Sequence, residues 1–322
     1  MNTQNGTLSV RVTRIERLTP EIKRFTLVDP EDKHLPAFSG GSHVVVVLQE
    51  GDKTYRNAYS LMSSPYDSSA YQIAVRRAPE SRGGSQWLHD NVCEGSLLEI
   101  MHPANLFPLA KHARHHLFIA GGVGITPVYS QLEELQLKKA SFELHLAVRG
   151  PEHSALGLEL QARYGKRVHL YVQGQDAPME IHDLLAARPL GSHVYVCGPE
   201  SMIEQTIETA HDLGWTNSHI HFERFVEQGS TGQPFSVTLA RQGVTIEVPS
   251  EQSMLEAAEQ AGYKLPYLCR GGACGYCEAK VLEVDGDLDH RDDWLSEEDK
   301  LSKRKFMPCV SRANCSRLVV DL

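Results

Sequence analysis

Cys269, Cys274 and Cys277 stand in the pattern C-x4-C-x2-C, within Cys269-Arg270-Gly271-Gly272-Ala273-Cys274-Gly275-Tyr276-Cys277. Three thiolates in one loop can converge on two irons, and this spacing suits a [2Fe–2S] cluster. Gly271, Gly272 and Gly275 let such a loop wrap closely and turn its backbone N–H groups toward the sulfides. A fourth thiolate is needed, with Cys309 and Cys315 as the downstream candidates. Zinc would ask for a second C-x2-C or a His pair, and neither is present. Seven cysteines is an odd number and predicts no disulfide framework. Cys93 and Cys197 read as buried thiols.

A second group of residues suits a dinucleotide. Ala120-Gly121-Gly122-Val123-Gly124-Ile125-Thr126-Pro127 follows an apolar strand and precedes a helical stretch. Glycines there let a pyrophosphate approach the backbone, and Thr126 can cap the helix or touch the nucleotide. Val196-Cys197-Gly198-Pro199-Glu200-Ser201-Met202 ends a later strand. Arg149 follows the second strand of this region, where it would meet a 2′-phosphate or simply face solvent.

Tyr55-Arg56-Asn57-Ala58-Tyr59-Ser60-Leu61 resembles the R-x-Y-S flavin motif of ferredoxin–NADP reductase-like barrels. In that reading Tyr59 lies along the isoalloxazine and Ser60 bonds its N5. Arg56 would hold the flavin phosphate. It comes one residue early, with Asn57 at the pattern's arginine position, so a small bulge is needed to aim it. Ile73-Ala74-Val75-Arg76 precedes Arg82-Gly83-Gly84-Ser85-Gln86-Trp87-Leu88, and Gly-Gly-Ser at a helix start offers N–H groups to an anion.

Nearly all 322 residues resemble the phthalate dioxygenase reductase type. The resemblance implies a multidomain chain. An antiparallel β-barrel flavin domain would span 1–105, an α/β parallel-sheet NAD(P) domain 106–228, and an α+β plant-type ferredoxin domain 229–322. It implies that Ala74 and Val75 line the flavin, and that Arg82, Gly83, Gly84 and Ser85 cradle its phosphate. Gly121, Gly122, Gly124 and Thr126 would hold the nucleotide, with Cys197, Gly198 and Pro199 facing the nicotinamide. Phe225 would cover the flavin ring, so Ser60, Cys197 and Phe225 are the residues expected at hydride transfer. Phe306-Met307-Pro308-Cys309-Val310 resembles the fourth-ligand segment, which favours Cys309 over Cys315. Asn105-Leu106-Phe107-Pro108-Leu109 resembles the segment that joins barrel to nicotinamide domain in FMN proteins, so FMN is expected ahead of FAD. NADH is expected ahead of NADPH. A plant-type cluster near about −400 mV can reduce a Rieske centre, so the implied partner is a Rieske-type oxygenase component.

The elements that must position these residues are visible in outline. Leu8–Val12 and Ile22–Leu27 alternate, and His43–Leu48 and Tyr71–Arg76 are apolar runs separated by Gly and Pro turns, which predicts a small barrel. From Pro103 onward strands and helices alternate. The predicted strands are Leu117–Ala120, Phe142–Val148, Val168–Val172 and His193–Cys197. The predicted helices are Tyr129–Leu137, Ala155–Tyr164, Ile181–Ala187 and Ser201–Leu213. Such alternation means βαβ units on a parallel sheet. Glu227–Pro234 reads as a linker. Beyond it Phe235–Ala240 and Val244–Val248 predict a hairpin. Ser253 and Glu256 predict a capping box, and Glu278–Val284 a strand.

The net charge of −9, with 32 basic against 41 acidic residues, argues against nucleic acid as a partner. The longest aliphatic run, Val44–Leu48, is far short of a membrane span. Met1–Gly6 has no basic-then-apolar signal pattern, so a cytoplasmic setting is expected. Asp285, Asp287, Asp289, Asp292, Asp293, Glu297, Glu298 and Asp299 read as a solvated face or as a docking patch for a basic rim. His115-His116 reads as surface, and His219 and His221 as a poor metal pair.

Overall fold

The computed structural model describes residues 7–51, 53–78, 83–225, 232–268 and 270–322. The expected linker residues up to 231, together with Arg82 and Cys269, lie outside them. The chain divides into two compact units, Met1–Phe225 and Val226–Leu322.

The first unit opens with strands β1 (Thr7–Arg17), β2 (Ile22–Val28), β3 (Ser42–Glu50), β4 (Lys53–Ser60) and β5 (Tyr71–Arg76). Helix α1 (Gly84–Asn91) follows, then β6 (Leu97–Met101) and β7 (Ala104–Asn105). The strands form one antiparallel sheet in the order β4-β3-β6-β1-β2-β5, with β7 on β3. A bridge from Leu61 to Ile73 joins its two edges and closes a barrel. Inward residues such as Val10, Phe25, Val44, Val46, Ile73 and Ile100 are fully buried. Each lies on the inward side of the two-residue strand alternation.

The same unit continues with β8 (His115–Gly121), α2 (Thr126–Leu137), β9 (Phe142–Val148), α3 (Ala155–Tyr164) and β10 (Val168–Val172). It ends with α4 (Ile181–Ala186), β11 (Ser192–Cys197), α5 (Glu200–Asp212) and β12 (Ile220–Glu223). The sheet is parallel, in the order β10-β9-β8-β11-β12. Barrel and sheet share a core. Ile22, Met62 and Ala74 from the barrel pack in one cluster with Phe107, Phe118, Ile125 and Val128. Polar contacts reinforce the seam: Gly41 N donates to Ser130 Oγ at 3.1 Å, and Gln131 Nε2 donates to Phe107 O at 2.7 Å.

The second unit holds β13 (Phe235–Leu239), β14 (Val244–Val248), α6 (Met254–Gln260), β15 (Ala279–Val284) and β16 (Asp287–Asp289). Helix α7 (Glu297–Ser302), β17 (Lys305–Phe306), β18 (Arg312–Asn314) and β19 (Leu318–Val320) complete it. Its main sheet runs β14-β13-β19-β15-β17, and β16 pairs with β18. The capping box forms as expected: Ser253 Oγ accepts from Glu256 N at 3.2 Å, while Ser253 N donates to Glu256 Oε2 at 2.9 Å. No helix among the described residues is long and apolar enough to cross a membrane.

Three expectations are corrected. Cys93 is exposed, not buried, because it sits in the turn before β6, with its thiol 3.4 Å from Ser96 Oγ. His116 is buried at 3% exposure and stacks on Tyr195, since β8 is the central strand of its sheet. The acidic run is exposed at Asp285, Asp287, Asp293, Glu297 and Glu298, but not throughout. Asp292 is buried, Asp287 pairs with Lys303, Asp289 with Arg291 and Asp299 with Lys305.

Candidate functional site

The flavin segment occupies β4. Its pairing with β3 is unbroken from His43↔Ser60 to Glu50↔Lys53, so no bulge turns Arg56. Strand alternation therefore places Tyr55, Asn57 and Tyr59 on one side and Arg56 with Ser60 on the other. The start of α1 approaches the first side. A Cβ on Gly84 would fall 2.8 Å from Asn57 Oδ1, and one on Gly83 3.2 Å from Tyr55 Oη. Asn57, passed over in the sequence as a departure from the motif, thus meets Gly84 in this turn, as Tyr55 meets Gly83. Ser85 is buried, with its Oγ accepting from Ala78 N at 3.3 Å.

Two buried hydroxyls at the end of β4, Tyr59 Oη and Ser60 Oγ, meet no partner at full hydrogen-bond geometry among the described residues, although the Asn57 side chain lies within reach of the Tyr59 phenol. Burial pushes the Tyr59 phenol well above its usual range. A buried orphan hydroxyl is costly unless a ligand satisfies it. These are donors and acceptors of the kind a flavin ring edge requires, so the residues fit the group. Ala74 and Val75 point to opposite sides of β5, Ala74 into the shared core and Val75 into the barrel.

The glycine turn between β8 and α2 is packed against the end of β11. A Cβ on Gly124 would lie 2.2 Å from Cys197 O, and one on Gly121 2.5 Å from Pro199 Cδ. Gly122 has a left-handed φ of 54° and faces open space. The structure thus brings Gly121, Gly122 and Gly124 together with Cys197, Gly198 and Pro199. Thr126 is buried, and its hydroxyl donates to Val123 O at 3.0 Å, closing the turn.

Glu223 is the residue the sequence reading left without a role. It ends β12 directly beside Cys197 in parallel register. Its Oε2 is buried with no partner among the described residues, and burial pushes its carboxyl up to about 8. Burial, helped by that carboxylate, also pushes the Cys197 thiol well up. The only trace in the sequence is an acid closing the apolar strand Ile220-His221-Phe222-Glu223. Phe225 is 42% exposed, which separates it from the packed cores.

In the second unit Cys277 and Cys309 are both buried, with Sγ atoms 3.2 Å apart. That is close enough for two thiolates to share one iron. Cys274 is half-buried, and Cys315 sits apart, half-buried against Gly286, where a neighbouring Asp285 carboxylate and burial raise its pKa. The donor set, all sulfur and paired at close range, fits an iron–sulfur cluster. Arg270 holds the loop to α6: its guanidinium pairs with Glu259 and lies 3.7 Å from the Tyr267 ring centroid.

Residues 237–314 match the 2Fe-2S iron-sulfur cluster binding domain, and 104–220 match the N-terminal domain of the dimethylamine monooxygenase subunit DmmA-like family. The carnitine monooxygenase reductase subunit of Escherichia coli (strain K12) is 46% identical over 315 residues, covering 97% of this chain and 98% of that one. The heme-dependent oxidative N-demethylase beta subunit of Ectopseudomonas mendocina (strain ymp) is 44% identical over 315 residues, covering 98% and 99%. The solved phthalate dioxygenase reductase, described as a modular structure for electron transfer from pyridine nucleotides to [2Fe–2S], superimposes with a TM-score of 0.83 at 32% identity, covering 99% of both chains. Barrel, parallel sheet and cluster fold in one chain define an electron-transfer oxidoreductase with a [2Fe–2S] domain. The chain belongs to the phthalate dioxygenase reductase-type family of flavin and iron–sulfur oxygenase reductases.

Proposed function

We propose that this chain carries electrons from NADH through FMN and a [2Fe–2S] cluster to the Rieske oxygenase component of a carnitine monooxygenase. The observation that carries the reading is the pairing of two sites in one chain: a glycine turn packed on Cys197 beside a buried carboxyl, and a C-x4-C-x2-C loop whose Cys277 meets Cys309 at 3.2 Å. The Tyr55–Leu61 segment resembles the reductase of bacterial carnitine monooxygenase, and the 46% identity supports the same acceptor. We take 1–105, 106–228 and 229–322 as the flavin, nicotinamide and cluster modules, working in the cytoplasm, where thiols stay reduced.

Bound flavin would accept a hydride and release single electrons, which the cluster, near about −400 mV, would carry onward. The protein's own part is positioning and protonation. Tyr59 and Ser60 supply buried hydroxyls that meet no partner at full hydrogen-bond geometry among the described residues. Gly84, Ser85 and Asn57, with Gly83, form the polar end where the flavin phosphate would sit; Arg82 lies outside the described residues. Gly121, Gly122 and Gly124 present backbone to the dinucleotide, while Cys197, Gly198 and Pro199 wall the nicotinamide side. Glu223 holds its proton up to about pH 8 and keeps a neutral, water-poor wall beside the Cys197 thiol. Phe225 stands exposed at the end of this unit as the aromatic cover. Cys269, Cys274, Cys277 and Cys309 are the ligand set.

An anaerobic titration of the purified protein followed by visible spectroscopy tests the reading. Flavin and iron–sulfur bands that both bleach with NADH support it. Bleaching with NADPH alone would assign Arg149 a 2′-phosphate and overturn the NADH preference. A flavin band without a cluster band would remove the acceptor chain. A second reading, reduction of a haem-dependent amine demethylase, is favoured by the 44% relative and the 104–220 match. Turnover with each type of oxygenase component separates the two.

A further inference from the structure

The cluster loop is asymmetric. Cys277 and Cys309 are buried at 2% and 7% exposure, whereas Cys274 is only half-buried. Among the described ligands, the one nearest solvent is therefore Cys274, next to Gly275 and Tyr276. Trp294 lies over this point. A Cβ on Gly275 would fall 2.1 Å from Trp294 Cε2, so the indole rests on the glycine backbone between two of the cluster cysteines. Its Nε1 donates to Glu278 Oε2 at 3.1 Å, and Lys305 holds Glu278 and Asp299 at 3.6 and 3.2 Å. The ring is thus fixed from one side, yet Trp294 remains 52% exposed and its neighbour Tyr276 63%. A tryptophan needed only to close the loop would be buried. A fixed, half-bare indole beside a bare tyrosine has the composition of an interface anchor.

The charges around it point to a partner. Asp287, Asp289, Asp299 and Glu297 each pair with a neighbouring cation, Glu297 with Lys300 at 3.1 Å, while Glu297 and Glu298, three and four residues beyond Trp294, keep their carboxylates at the surface. From Val226 onward the chain carries 16 acidic against 11 basic residues. We propose that Trp294 and Tyr276, flanked by Glu297 and Glu298, form the surface on which the oxygenase component docks to take electrons from the cluster. This rests on the oxygenase being the acceptor. The partner must offer an apolar hollow with a basic rim close to its own electron-accepting centre. Apolar contact at Trp294 then fixes the complex, and the glutamates steer its approach.

The test uses the full holoprotein with the Rieske oxygenase component of a carnitine monooxygenase as acceptor. Trp294→Ala is expected to raise the KM for the oxygenase at least about tenfold, as loss of an interface anchor does. NADH–ferricyanide turnover and the electron paramagnetic resonance spectrum of the reduced cluster should stay as in the wild type. Trp294→Phe should restore part of the affinity. Tyr276→Ala, at a side chain with most of its surface in water, gives an independent reading if Trp294→Ala loses its cluster, and should raise KM severalfold. Glu297→Gln with Glu298→Gln should raise KM about two- to threefold at low salt and much less at high salt. An unchanged KM in both aromatic variants overturns the proposal. So does a KM rise with an altered cluster spectrum in Trp294→Ala when Tyr276→Ala has no effect, which would make the indole structural. Self-association of the wild type that Trp294→Ala abolishes would give the face to a second copy and also overturn it. A wild type that reduces its cluster but passes nothing to the oxygenase removes the acceptor reading itself, and this surface with it.

Discussion

Two glycine-rich loops hold the chemistry, and they are covered in different ways. In the nicotinamide turn the tightest approach is to backbone: Gly124 faces the Cys197 carbonyl and Gly198 the Gly121 amide, with the Pro199 and Met202 side chains beside Gly121. In the cluster loop side chains lie on the glycines: Trp294 on Gly275, and Val310 with Asp292 on Gly272. Backbone cannot be trimmed, but a side chain can. The first loop should therefore fail outright when crowded, while damage to the second should be repairable from outside it.

The largest contrast comes from removing one region's chemistry altogether. Cys274→Ser should abolish the cluster absorption while NADH–ferricyanide turnover persists. Loss of both together in a spectrum and a steady-state assay would show that the two regions are not separable. Gly124→Ala should cost at least ~3 kcal/mol, the upper range for overpacking, and lose NADH oxidation. Thermal unfolding and a nicotinamide binding assay check it. Gly275→Ala should also destabilise, but adding Trp294→Ala should recover the steric part and leave ~1–2 kcal/mol of left-handed strain. A double variant no better than the single one, compared by denaturant midpoint, would break the contrast.

Glu223 gives a smaller, pH-dependent effect. Its folded pKa of about 8 lies above the usual carboxyl value, so between those values the folded state holds a proton that the unfolded chain has released. Stability must then fall as pH rises through this window. Glu223→Gln removes that slope, so its melting temperature should exceed the wild type's by a few degrees at pH 9 and by less at pH 5. The smallest effect is expected at exposed Arg149. Arg149→Ala should change kcat/KM for NADH by less than about threefold, whereas a large loss with NADPH would reveal a phosphate contact.

Four of the five strands of the parallel sheet were legible; the edge strand β12, Ile220–Glu223, was not, because four residues carrying His221 and Glu223 make no continuous apolar run. Phe142–Val148, Ala155–Tyr164 and Val168–Val172 fall where the pattern puts them, because apolar residues recur at strand or helix spacing between turn residues in each. The barrel was read less fully. β4 carries Lys53, Thr54, Arg56 and Asn57, and β6 is only five residues long, so neither announces itself by apolarity. The cluster domain was readable because metal ligation imposes a cysteine spacing on the chain itself. Glu223 was not, because its environment is set by a neighbouring strand. The same holds for buried His116 and exposed Cys93, whose surroundings come from sheet order and turn position.

The shared core under Ile22, Met62, Ala74, Phe107 and Phe118 has a consequence for how this molecule can be taken apart. Division of labour and division of folding do not coincide in it. Cutting the chain after residue 105 would strip one wall from the sheet's packing and bare the apolar flank of the barrel. Residues 7–225 should accordingly melt in a single calorimetric transition, and a barrel transplanted from a relative should need its own parallel sheet to come with it.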